Sequence, residues 1–323
     1  MSQVYTPRYQ ISTPVLFLIF NRPDTTARVF EAIRAAQPPR LYVASDGPRD
    51  GHLGERERVA GARSIATAVD WPCELRTLFR DVNLGCKEAV SEAITWFFDQ
   101  EEEGIVLEDD CLPHNDFFYF SEVLLRRYKD NLCVSVITGN NFQNGVTRGD
   151  GSYYFSKYNH CWGWASWRRS WRHYQGDLPF WPEWSASVDW QKKTPDPVER
   201  HYWWRIFERV SAGGIDSWGY PWTASTWYHG GLTATPNVNL VSNIGFGPDS
   251  THTASPDSPL AAKATGAIGE LAHPSVVEQD LQADRYTFDH AFGGESLRFP
   301  ACVFRFPRRV FGALYRLLKS PAT

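Results

Sequence analysis

The sequence predicts an α/β protein built on a mostly parallel sheet flanked by helices. Short apolar segments alternate with helix-length segments from residue 14 to residue 138. That order calls for parallel strands joined by right-handed crossovers. Polar clusters follow several of the strand segments, at the sheet edge where such folds hold ligands. The 323 residues are 42% hydrophobic and 22% charged, which suits a packed core and not a disordered chain.

Residues 14–20 form a short, continuous apolar run and read as a buried strand. Asn21-Arg22-Pro23-Asp24 is a turn, with Asp24 or Thr25 placed to cap a helix. Val29, Phe30 and Ile33 then recur at helical spacing, up to Pro38-Pro39. Residues 40–44 are a second strand, closed by Ser45-Asp46-Gly47-Pro48. A helix over 55–69, a strand over 73–79 and a helix over 88–98 follow. Residues 104–107 are a fourth strand, ending in Glu108-Asp109-Asp110. A helix over 116–128 and a strand over 133–138 complete the alternation.

The texture changes after residue 150. Twelve of the 14 tryptophans lie between Trp162 and Trp227, and no fixed-period repeat organises them, which disfavours a solenoid or propeller. Residues 247–275 are rich in Ser, Thr, Pro, Ala and Gly and read as a long, mobile loop. Between 296 and 323 stand Arg298, Arg305, Arg308, Arg309, Arg316 and Lys319 with no acidic residue. Phe311, Leu314, Tyr315, Leu317 and Leu318 give this tail an apolar stripe. Two readings stay open: a terminal helix docked on its own domain, or a peripheral contact with an anionic membrane surface. The chain thus divides into parts 1–150, 151–295 and 296–323.

Several classes are disfavoured. A net charge of −4 argues against a general nucleic-acid binder. The run from Val15 to Phe20 is too short to span a bilayer, and no signal-peptide pattern precedes it. None of the six cysteines forms a pair with just two residues between its members, so a structural zinc is not expected. Free thiols in a reducing cytoplasm are. No nucleophile elbow, zinc-protease or P-loop motif is present.

The acidic triplet carries the chemistry. On an extended chain, alternate residues share a face, so Glu108 and Asp110 point together and Asp109 aside. Clustered hard oxygens at a strand end suit Mg²⁺ or Mn²⁺, which keep waters and bridge to substrate phosphates.

The run Val106-Leu107-Glu108-Asp109-Asp110-Cys111-Leu112-Pro113, with Asp116-Phe117-Phe118-Tyr119-Phe120 after it, resembles the acidic metal motif of GT-A fold glycosyltransferases. It is most similar to the N-acetylglucosaminyltransferase I-like group. Pro14-Val15-Leu16 through Asn21-Arg22 resembles that group's first strand and nucleotide-binding arginine. Ala44-Ser45-Asp46-Gly47 resembles its uracil-reading aspartate, and Gly163-Trp164 a Gly-Trp of the acceptor half. Asn83-Leu84-Gly85-Cys86 and residues 239–247 look like bacterial members of the same fold. The landmark spacing departs from the family after residue 180.

The resemblance implies a GT-A (Rossmann-like) fold, with a nucleotide-sugar half, an aromatic-rich acceptor half and the basic tail. It implies an inverting, metal-dependent transferase moving a sugar from a UDP-sugar to a saccharide or lipid-linked acceptor. Asp110 would hold the metal, with Glu108 and a late histidine, His252. Phe20, Arg22, Asp46, Glu108 and Asp109 would hold the donor. Lys87, at the start of the helix before the fourth strand, has two open readings: a lysine that reaches a phosphate, or a solvated helix-start lysine. Asp216, after a flexible Gly pair and before Trp218, would be the base, ahead of Asp189 and Glu208. Its other reading is a helix N-cap. Most of the clustered tryptophans would be core, with Trp164 and Trp218 lining the acceptor groove. Two rivals stand beside this reading. One is a non-catalytic saccharide-binding module. The other is a sugar nucleotidyltransferase, which would carry a Gly-rich loop after the first strand where this chain has Asn21-Arg22-Pro23-Asp24.

Overall fold

The computed structural model describes residues 10–246 and 261–299. Its centre is an eight-stranded sheet. Strand β1 (Val15–Ile19) lies between β2 (Arg40–Ser45) and β4 (Glu103–Glu108), and β3 (Glu74–Phe79) forms the edge beyond β2. These four run parallel. Helices α1 (Pro23–Ala36), α2 (Glu55–Ala66) and α3 (Cys86–Gln100) make the crossovers. A strand buried on both faces needs an unbroken apolar run, and β1 shows why. Val15, Phe17 and Ile19 pack into the core under α1 and α2, while Leu16 and Leu18 face the core under α3.

The second half of the sheet departs from simple alternation. After the short β5 (Cys111–Pro113) and α4 (Asn115–Tyr128), the chain enters β6 (Val134–Thr138) and β7 (Tyr153–Ser156). Strand β8 (Trp164–Trp167) inserts between β4 and β6, antiparallel to both. Strand β9 (Leu232–Pro236) runs parallel to β6, and β7 closes the edge antiparallel to it. Between β8 and β9 lie α5 (Arg168–Trp171), α6 (Trp181–Ser185), α7 (Val188–Lys193), α8 (Pro197–Ser211) and α9 (Gly219–Tyr228). Trp181, Trp184, Trp190, Trp203 and Trp227 form a third core there, with Phe207 and Phe288 of α10 (Leu281–Ala291). Strand β10 (Val241–Asn243) then pairs antiparallel with β5. This two-stranded ribbon brings the late chain back onto the acidic triplet.

Some local expectations are corrected. Helix α1 starts at Pro23 with no side-chain cap, so neither Asp24 nor Thr25 caps it; proline at the first turn is already set for the helix. Residues 261–275 carry no regular secondary structure, and the rest of the expected loop lies outside the described residues. So do His252 and the tail from residue 300. Arg298, counted with the basic tail, is tied to Asp196 at 2.5 Å and Asp289 at 2.8 Å, so it is no free membrane-facing charge. Cys73, Cys86, Cys111, Cys133 and Cys161 are free thiols. Among the described residues no helix is long and apolar enough to cross a membrane.

Candidate active site

The carboxyl ends of β1, β2 and β4 meet in one crevice. Directly after β1, the Phe20 backbone N–H donates to Asp109 Oδ2 at 3.0 Å. One residue further along, Arg22 donates through Nη1 to Asp110 Oδ2 at 2.7 Å and stands 3.8 Å from Asp109 Oδ1. Strand β4 ends at Glu108, and a tight turn replaces the extended backbone. The alternation argument therefore fails at this point. Asp109 does not turn aside but faces Arg22 and the crevice.

Among the described residues Arg22 is the one cation paired with this triplet, through Asp109 and Asp110. Burial opposes its charge, but Asp109 and Asp110 overcome that and push its pKa up. Burial, then the neighbouring charges of Asp110 and Asp109, pushes the Glu108 carboxyl up. Burial also raises Asp109, against the pull of Arg22. Negative charge here is under-compensated.

Glycine supplies the close approach above the pair. Ile244 N–H donates to the Asp110 carbonyl at 2.8 Å. A Cβ on Gly245 would collide with the Asp110 side chain and the Arg22 guanidinium, so any other residue here would force that pair to shift.

Two cavities adjoin at this point and share Arg22, Cys86 and Glu108 on their walls. The smaller, about 220 Å³, lies among the ends of β1, β2 and β4 and the start of α3; Phe20, Asp46, Asp109 and Asp216 border it. The Arg49 guanidinium sits 5.6 Å from the Phe20 ring centre. Buried Glu55 holds it there by hydrogen bonds to Arg49 and to Asn21. The larger, about 420 Å³, is bordered by Asp110, Asn140, His160, Trp218 and Asn243 among others. Burial drops the His160 ring to about 3, so it is neutral.

The expected residues fall into place unevenly. Asp46 borders the smaller cavity, yet its carboxylate already accepts from Gly47 N, Asn83 Nδ2, Leu84 N and Gly85 N at 2.9–3.1 Å. It anchors the loop before α3. Asp216 accepts from Cys86 N at 3.2 Å and Lys87 N at 2.7 Å, capping α3 from another part of the chain. Among the described residues two of its roughly four lone-pair positions have no partner, and Ser217 to Tyr220 after it border the larger cavity.

Two expectations are corrected. Lys87 lines neither cavity; its ammonium pairs with Asp177 at 2.6 Å, so it is not set to reach a donor phosphate. Trp164 is 1% exposed and lies behind Trp218, ring centres 5.8 Å apart. It is core, because β8 is buried on both faces. Trp218 does border the larger cavity. Asp189 pairs with Lys192 at 3.3 Å and Glu208 with the Trp181 indole at 2.9 Å, away from both cavities. Asn140 and His160 also border the larger cavity. Nothing in their local pattern marks them, because they reach the cavity through the later half of the sheet.

The donor set fits a hard divalent cation. Glu108 and Asp110 offer carboxylate oxygens at a cavity wall where negative charge exceeds positive. Among the described residues no three His, Cys, Asp or Glu side chains form a ready-made cage. An ion shared with substrate phosphates needs only one or two carboxylates. Arg22 Nε is buried without a hydrogen-bond partner among the described residues, a donor free to meet an anionic oxygen.

No protein-family model and no curated protein matches the chain. Among solved structures it is similar to UDP-glucose pyrophosphorylase complexed with UDP-glucose. The identity is 12% and the TM-score 0.26, over 45% of this chain and 62% of that one. The chain thus spans less than two thirds of that protein. It is similar to the inositol-1-phosphate CTP transferase from T. maritima at 8% identity and a TM-score of 0.36, over 71% and 86%. The apo form of a UDP-glucose pyrophosphorylase gives 10% and 0.30, over 69% and 90%. At these scores the likeness does not bear on what this chain acts on.

Proposed function

We propose that this protein is a metal-assisted transferase that takes a nucleoside-diphosphate sugar, with UDP as the expected nucleotide, and moves the sugar with inversion to a saccharide or lipid-linked acceptor. One observation carries the reading: three strand-end clusters converge on a charge-imbalanced wall, Arg22 with Glu108 to Asp110, that separates two adjoining cavities. A donor and an acceptor must meet across such a wall.

Phe20 and Arg49 would flank the nucleoside in the smaller cavity, whose loop Asp46 holds. Arg22 would donate to a phosphate oxygen. Asp110 and Glu108 would hold Mg²⁺ or Mn²⁺, which when bound neutralises the diphosphate and the leaving nucleotide. Asp216, at the boundary of the cavities, would take the acceptor hydroxyl proton as that oxygen attacks the anomeric carbon opposite the leaving group. His252 stays a candidate further ligand outside the described residues.

Sugar nucleotidyl transfer is the alternative, since it needs the same nucleotide and cation. Against it, Pro23 opens α1 directly after Arg22, leaving no glycine-rich loop to wrap a triphosphate. Phosphorus NMR of the chain with UDP-, GDP- and dTDP-sugars, Mn²⁺ and a glycan mixture separates the two. Release of nucleoside diphosphate is expected. Formation of UTP and sugar 1-phosphate when pyrophosphate is added would replace the reading with the alternative. Asp216→Asn should keep UDP binding and lose transfer; loss of donor binding would remove Asp216 from the base role.

A further inference from the structure

The larger cavity is charged at one end only. Arg22, Glu108 and Asp110 stand where it meets the smaller cavity. The rest of its wall is aromatic, amide, hydroxyl or thiol, with His160 kept neutral. At about 420 Å³ it falls within the range of small-molecule sites. Asn140, on that wall, is 1% exposed. Its Nδ2 donates to the Val241 carbonyl at 3.3 Å, which fixes the amide. Its Oδ1 is buried and has no hydrogen-bond partner among the described residues. A buried carbonyl left unmet is costly, and such groups are normally paired. This one asks for a hydrogen-bond donor from whatever fills the cavity.

The surrounding rings narrow the choice. Trp162, Trp203, Trp218 and Phe142 border the same space, and aromatic faces suit the C–H faces of a sugar. Among the described residues on this wall an anionic group would find only Arg22 as a cation, and that guanidinium faces Asp110 at 2.7 Å and is the group the donor phosphate would use. Burying an unpaired carboxylate or phosphate is strongly disfavoured.

We propose that the larger cavity takes an uncharged, hydroxyl-bearing sugar ring of the acceptor, and that Asn140 selects it by accepting a hydrogen bond from one hydroxyl. This rests on the transferase reading only in calling that ring the acceptor.

The test is glycoside binding, followed by tryptophan fluorescence, to the full chain with UDP and Mn²⁺. The probes are neutral methyl hexopyranosides, their short oligosaccharides and the matching hexuronides. Neutral glycosides should shift the emission, with hexuronides about tenfold weaker or worse. Asn140→Ala should weaken the neutral glycoside about tenfold and leave UDP affinity unchanged. Should that variant not fold, Trp162→Ala, at a half-buried ring, is expected to show the same loss. Three results would overturn the proposal: equal binding of hexuronides, a folded Asn140→Ala that binds as wild type, or a loss confined to the donor sugar. Glycoside binding with no nucleotide binding would support the cavity assignment and sink the transferase reading alone.

Discussion

Both halves of the molecule bury charge, but only one leaves it unbalanced. In the aromatic half, buried Lys157 pairs with buried Glu199 at 2.8 Å. Asp284 beside them accepts from Ser156 Oγ at 2.5 Å and Gln279 Nε2 at 2.7 Å. Each of these groups has a partner within the protein, although the network also borders a cavity of about 480 Å³. At the ends of β1 and β4, one guanidinium faces three carboxylates, and the surplus opens onto cavities. A network whose charges are partnered specifies the fold, whereas one with surplus charge asks for a ligand.

Removing one member from each network is the sharpest way to break this comparison. Asp110→Ala should cut nucleoside diphosphate release by about 10² to 10³ or more and leave a folded protein, because it relieves repulsion as well as an ion pair. Glu199→Ala should do the reverse. It strands buried Lys157 and should cost about 3–5 kcal/mol of stability, read in a denaturant melt, with UDP affinity intact once folded. Normal turnover by the first variant, or a harmless second one, would erase the distinction.

How far the sequence reaches differs between the halves for the same physical reason. In the first half the unbroken apolar run of β1 specifies a strand buried on both faces. Parallel topology then forces Arg22, Asp46 and Asp110 toward one edge, so the pairing of residues 88 positions apart follows from the fold. In the second half, tryptophans saturate strands and helices alike. The antiparallel insertion of β8 leaves no mark there, and Trp164 cannot be told from a groove-lining ring. Asn140 and Gly245 act through contacts with distant chain, at Val241 and at the Arg22–Asp110 pair. Asp46 and Asp216 border the smaller cavity, but the sequence says nothing of the backbone N–H groups that engage them.

Trp164 sharpens the contrast further. Since it is core, Trp164→Ala should destabilise by about 3–5 kcal/mol, with acceptor KM unchanged in the folded fraction. Trp218, between it and the cavity, should instead move KM when changed to Phe. A KM effect from Trp164→Phe with no loss of stability would restore Trp164 to the acceptor groove.

Acid response should separate Glu55 from Asp284 by sign. The Arg49 hydrogen bonds hold Glu55 down at about 2, below its usual 4.5. Its stabilisation is therefore present above about pH 4.5 and lost as pH falls toward 2. Burial raises Asp284 from 3.8 to about 6, although Lys157 opposes it. The folded state then binds the proton more tightly, and stability from this group falls as pH rises from about 4 to 6. Thermal melts from pH 3 to 7 should show Glu55→Gln most damaging at neutral pH. Asp284→Asn should gain on wild type as pH rises. Parallel curves for the two variants would contradict the assigned environments.

Lys87 gives the smallest effect. It stands at the start of α3, beside the backbone N–H groups that Asp216 caps, so proximity alone would make it part of the donor site. Its ammonium instead meets Asp177, whose side chain is 86% exposed. Solvent-exposed pairs contribute about 0–1 kcal/mol. Lys87→Ala should therefore shift the melt slightly and leave UDP affinity and turnover within about twofold of wild type. The same α3 terminus holds Asp216 through backbone hydrogen bonds, which the substitution leaves intact. A tenfold loss of UDP affinity in Lys87→Ala would mean that the lysine leaves Asp177 for a phosphate when the donor arrives. The charge imbalance at the Glu108–Asp110 wall would then be met partly from α3.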